Sequence, residues 1–99
     1  MNPESVPALH PEVVWRILDD GAVIVTPRAG NVRVLNQVGT TIWKLIDGKN
    51  SLSDIESQLV RTFDVPLNLA RADLAAFVKE LEKRGMIVWI DKNSTNESV

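Results

Sequence analysis

Cysteine is absent from this 99-residue chain, and histidine occurs once, at His10. Their scarcity excludes a disulfide framework, a Cys-ligated zinc, a thiol nucleophile and a multi-histidine metal site. No apolar run approaches the roughly 18 residues that a membrane-spanning helix needs. An excess of positive charge is also missing. Eleven Lys and Arg against thirteen Asp and Glu leave a net charge of −2, whereas nucleic-acid affinity rests on surplus cations facing phosphate. No P-loop, GxGxxG, HExxH or GxSxG motif occurs. The opening MNPESVPALHPE lacks the basic start and apolar run of a signal peptide, which together with the missing cysteine points to the cytoplasm.

What remains is the composition of one small globular domain, 44% hydrophobic and 24% charged. Residues 13–35 read as a β-meander. VVWRIL is followed by Asp20-Gly21, a hairpin signal because glycine tolerates positive φ. AVIVT is a second β-branched run, Pro27-Arg28-Ala29-Gly30 the next turn, and NVRVL a third strand. Short strands joined by tight turns pair antiparallel. After Leu35 the apolar period lengthens to about 3.6. Asn36 is a candidate N-cap for a helix carrying Val38, Ile42, Leu45 and Ile46, with Trp43 on its flank and Gly48 beyond its end.

A second helix opens on a capping box, Ser51 with Asp54 or Ser53 with Glu56, and carries Leu52, Ile55, Leu59 and Phe63. Pro66 interrupts it. A third helix runs from about Leu69 to Arg84, its expected core stripe being Leu74, Phe77 and Leu81. Gly85 stops it, and MIVWI reads as a short last strand. The expected fold is α+β and winged-helix-like: a three-stranded antiparallel N-terminal β-meander, a three-helix bundle and a short C-terminal strand. Residues 1–9 are expected to be a flexible N-terminus, 10–90 the domain, and 91–99 a flexible polar tail.

Catalysis finds no constellation here. Asp19-Asp20 sit in a turn and Glu80 and Glu82 on a helix surface, where carboxylates are ordinarily solvated charges rather than acid–base pairs. His10 has no acid or nucleophile near it in sequence. Nothing predicts an enzyme, a metal site or a cofactor. The third helix mixes Arg71, Lys79, Lys83 and Arg84 with Asp73, Glu80 and Glu82, which reads as a solvated face rather than a DNA-recognition helix. Trp15, Trp43 and Trp89 are either core or the apolar lining of a peptide site. The strand NVRVL ends the meander, and an unpaired strand edge is a template for another strand.

Leu35-Asn36, Gly39, Ile42-Trp43, Asp47-Gly48, Ile55, Leu59, Phe63-Asp64-Val65, Asp73, Phe77, Leu81 and Gly85-Met86-Ile87 follow one another in a known order. They resemble the pattern L-N-x-x-G-x-x-I-W…D-G…D-x-x-x-F-x-x-x-L-x-x-x-G-L-I of the pyrroloquinoline quinone synthesis protein D (PqqD) family. The strands before it match too, so the resemblance covers about residues 10–90. It implies a non-catalytic adaptor that binds the leader of a ribosomally made precursor peptide. Such an adaptor presents the peptide to a modifying enzyme, often a radical S-adenosylmethionine protein.

The leader would add as a strand along Val32, Arg33, Val34 and Leu35. Its side chains would enter a groove on the third helix near Arg71, Ala75 and Val78. This requires MIVWI to pair away from NVRVL, beside VVWRIL or on the helices. The open edge would also support a weak homodimer. A winged-helix DNA-binding regulator and a homodimerising module are the alternatives, and neither nucleic acid nor membrane is expected as a partner.

Overall fold

The computed structural model describes residues 2–90. Met1 and the expected tail at 91–99 lie outside the described residues. The architecture is α+β, with one strand more than the sequence pattern predicts. Val6–Leu9 form β1, which pairs antiparallel with the last strand β5 (Ile87–Ile90), Val6 opposite Ile90 and Leu9 opposite Ile87. Residues 6–9 are therefore not a flexible N-terminus. Val6 and Pro7 are buried, and the carbonyls of Pro3, Ser5 and Pro7 accept from the N–H groups of Ser53, Leu52 and Gly48. VPAL is too short to show alternation, and its proline argues against a strand in isolation. Pairing with β5 and burial outweigh that local preference.

The meander is present as β2 (Val14–Leu18), β3 (Gly21–Thr26) and β4 (Asn31–Leu35), in the spatial order β2-β3-β4. Its first turn consists of Asp19 and Asp20, with Asp19 at φ 40. Gly21 lies inside β3 rather than in the turn, and glycine is required there for a different reason. A Cβ on Gly21 would collide with the Leu35 carbonyl oxygen. Period-two alternation separates the two faces. Ala22, Ile24 and Leu35 turn inward and are buried, whereas Val32 and Val34 face out. Every residue of β2 is exposed, because the helices cover only β3 and β4. Trp15 stays in touch with the core through one edge-on contact with Trp43, at 6.0 Å between ring centroids.

Three helices pack on the inner face. α1 (Gln37–Leu45) starts where Asn36 Oδ1 accepts from the Gly39 N–H at 2.8 Å. α2 (Leu52–Phe63) uses the Ser51–Asp54 capping box, both of whose hydrogen bonds are formed. In the bend between them, Asp47 accepts from the N–H groups of Asn50 and Lys49, which hold its carboxyl below the usual range. α3 (Leu67–Lys83) begins directly after Pro66, earlier than its apolar spacing suggests. Proline lacks an N–H that the helix start leaves unpaired anyway.

α3 is rotated from the expected stripe. Its buried line is Ala70, Leu74, Val78 and Leu81, and Phe77 lies beside that line, half-buried. Positions 77 and 78 are both compatible with helical spacing from Leu74 and Leu81. The smaller β-branched side chain is the one taken into the core, and the larger ring is left at its margin. Among the described residues no helix is long and apolar enough to cross a membrane.

Candidate functional site

The rotation of α3 decides what its neighbouring surface can do. Between β4 and α3 runs a groove of about 550 Å³. One wall is Arg33, Val34 and Leu35 of β4, continued by Asn36, Val38 and Gly39 into α1. The other is the face of α3 carrying Asp73, Ala76, Phe77 and Glu80, with Ile42 at the floor. At its α1 end a smaller apolar pit of about 90 Å³ opens between Val38, Ile42, Leu59, Phe63, Val65, Ala70 and Asp73.

Among the described residues β4 has a neighbour on one side only, because β5 pairs with β1 and neither joins the meander. The expectation of an open edge is met: β5 packs on α3, one of the two expected placements, and pairs with a strand the sequence did not reveal rather than with β2. Val32 and Val34 stand on that edge strand with 55% and 64% of their surfaces exposed. Unpaired strand groups beside a trough with an apolar middle and charged ends form the geometry of strand addition: backbone bonds supply attachment, and alternate side chains enter the trough.

Of the expected site residues, Val32, Arg33, Val34 and Leu35 lie together on β4, with Leu35 buried beneath it. The helix residues do not join them. Val78 is 0% exposed and belongs to the core. Ala75 and Arg71 line a different hollow, with Leu52 and Glu56 of α2. Arg71 Nε donates to Glu56 Oε1 at 3.3 Å, neutralising a carboxylate whose side chain is only 8% exposed. A buried charge must be paired, so the role visible for Arg71 is structural.

The residues that do line the helix wall, Asp73, Ala76, Phe77 and Glu80, were missed. A signal for two of them was present, since Asp73 and Phe77 stand four apart in the family pattern and therefore on one helix face. The tryptophans divide. Trp43 is core, Trp89 donates from Nε1 to Glu82 Oε2 at 2.9 Å, and neither Trp89 nor Trp15 lines the groove.

One ion-pair cluster spans the groove. Arg33 donates from Nε to Glu80 Oε2 at 3.0 Å and from Nη2 to Oε1 at 3.2 Å. Arg84 donates from Nε to the same Oε2 at 3.2 Å. The Arg33 hydrogen bonds hold the Glu80 carboxyl below its usual 4.5, against a smaller opposing effect of desolvation. A lowered carboxyl pKa contributes stability that is present above the unfolded value and lost as pH falls through the folded one. The Glu80 midpoint, followed by carboxyl NMR, is accordingly expected below 4.5. It should move up in Arg33→Ala, and an unmoved midpoint would deny that Arg33 is the dominant partner.

Among the described residues no group of three or more His, Cys, Asp or Glu is placed to hold a metal ion. Glu80 and Glu82 do not form an acid–base pair: the first binds two arginines and the second takes the Trp89 indole. His10 is engaged locally, its Nδ1 accepting from the Glu12 N–H at 3.1 Å.

Comparison with known proteins agrees with this architecture. The solved structure of TbiB1 in complex with the TbiA(beta) leader peptide superposes with a TM-score of 0.76 at 22% identity, over 81% of this chain and 93% of that one. A lasso peptide synthetase B1 complexed with the leader peptide gives 0.75 at 28% identity, over 83% of this chain and 96% of that one. Among curated proteins none matches. The model of the family described as coenzyme PQQ synthesis protein D matches residues 21–87, from the first residue of β3 to the first of β5, and so takes in the whole groove. The chain belongs to the PqqD family.

Proposed function

We propose that this chain is a non-catalytic adaptor of the cytoplasm that captures the leader of a ribosomally made precursor peptide. The leader adds as a strand to β4, lays alternate side chains into the groove against Phe77 and Ala76, and leaves its core region free for a modifying enzyme. A radical S-adenosylmethionine protein is the enzyme class that the family resemblance implies. The observation that carries the reading is the open β4 edge running alongside a groove with apolar side chains between two charged ends. That two structures of similar fold hold leader peptides supports it.

The expected grip is modest. Strand hydrogen bonds contribute about 1 kcal/mol each, and a buried apolar anchor contributes about 2 kcal/mol. Ordering a flexible peptide costs about 2–5 kcal/mol. Four such bonds and two anchors therefore leave less than the roughly 8.2 kcal/mol of a micromolar complex. A weak hold suits a carrier that must release its cargo. Calorimetric titration with leader peptides, those held by the structurally similar proteins among them, is the test. Saturable binding, with slowed amide exchange at residues 31–35, is expected. No binding at high peptide concentration would refute the adaptor.

A further inference from the structure

Charge is placed at two separated points of the groove. At the Asn31 end, Arg33 and Arg84 share the single carboxylate of Glu80, leaving a surplus of one positive charge. The Arg33 side chain is 31% exposed there, so it is accessible from the groove. Its Nη1 donates to the Val34 carbonyl oxygen, an acceptor on the edge strand itself. At the α1 end the only ionisable lining residue is Asp73, which is exposed and forms no ion pair among the described residues. The groove is therefore positive at one end and negative at the other.

A strand added to β4 brings its own N–H groups to the edge acceptors. The Arg33 Nη1 must then leave the Val34 carbonyl, while Nε and Nη2 can keep Glu80. A guanidinium N–H released beside a peptide needs a new acceptor, and a carboxylate meets its fork geometry best. Asp73 and Glu80 are separated by two helical turns, about 10.5 Å along α3. Side chains on one face of a strand recur about every 6.8 Å. A long cationic side chain two or four residues from the carboxylate thus reaches Asp73. Antiparallel addition, the more stable arrangement, runs from the Leu35 end toward Asn31, so the cation comes first.

We infer that the groove selects its leader by charge order: Arg33 takes an Asp or Glu of the incoming strand, and Asp73 takes a Lys or Arg two or four residues before it. This rests on the docking reading above. It assigns Arg33 and Asp73 as residues that set which leaders are held and in which direction.

A displayed library of random peptides, selected on the whole chain and on Arg33→Ala and Asp73→Asn, tests it. Both side chains are solvent-accessible, and thermal unfolding checks that the variants fold. Wild-type selections are expected to enrich basic-x-acidic or basic-x-x-x-acidic strands. Arg33→Ala should lose the acidic preference alone, and Asp73→Asn the basic one alone. In a synthetic selected peptide, replacing the acid by its amide should cost the wild type about tenfold in affinity and Arg33→Ala less than about twofold. Binders that protect residues 31–35 but show no charge order would overturn this inference and leave the adaptor standing. The reverse order would overturn the stated direction. If no selected peptide protects residues 31–35, strand docking fails and the inference fails with it.

Discussion

Val78→Asp should leave the chain unfolded, whereas Phe77→Ala should leave it folded and poor at holding a leader. Val78 is 0% exposed, in a core line with Leu74 and Leu81. Burying a carboxylate without a partner costs several kcal/mol or forces its protonation, and a domain of this size has about 5–15 kcal/mol of stability in all. Phe77 is half-buried and lines the groove. Its truncation therefore costs less than the roughly 3–5 kcal/mol of a fully buried phenylalanine. The leader loses an apolar contact surface worth up to about 2 kcal/mol, more than a tenfold drop in affinity. Urea unfolding followed by circular dichroism, with peptide titration of the folded variant, separates the two. A folded Val78→Asp that merely binds weakly would return Val78 to the groove and show α3 turned the other way.

The second large effect is expected at the strand edge. Arg33 Nη1 reaches the Val34 carbonyl, so that carbonyl points to the open side. In an antiparallel strand the N–H of the same residue points there too. Proline at position 34 then removes no bond to β3, and an edge strand accepts it. It does remove the N–H that an added strand would use and sets a ring in its path. Val34→Pro should lower leader affinity by at least about tenfold, with a thermal midpoint within a few degrees of wild type. Unchanged affinity would show that the leader does not lie along β4.

The sequence made some of this legible because local chemistry decided it. The Asn36 cap, the break at Pro66 and the stop at Gly85 each follow from a residue that restricts its own backbone or satisfies a nearby N–H. The choice between Ser51–Asp54 and Ser53–Glu56 was not local. The carbonyls of Ser5 and Pro3 take the N–H groups of Leu52 and Ser53, so Ser51 is the residue left to cap the helix with Asp54. The rotation of α3 was hidden for a similar reason. Phe77 and Val78 both satisfy the helical period, and only the assembled core takes in Val78 and leaves Phe77 at its margin. β1 was illegible because four residues containing a proline carry no pattern until β5 lies beside them. The candidate site was accordingly half readable: its strand wall came from sequence, its helix wall from packing.

The pairing of β1 with β5 also bears on how such a unit can be carried. Val6 stands opposite Ile90, so the first and last strands of the fold lie side by side. A domain with that property can be spliced into a surface loop of a larger protein without pulling its own strands apart. The β4 edge takes no part in the clasp and would stay unobstructed after such an insertion. Tethering of this kind would replace the encounter between adaptor and enzyme by a high local concentration. A leader held only weakly would then be presented at once, because adaptor and enzyme would already share one chain.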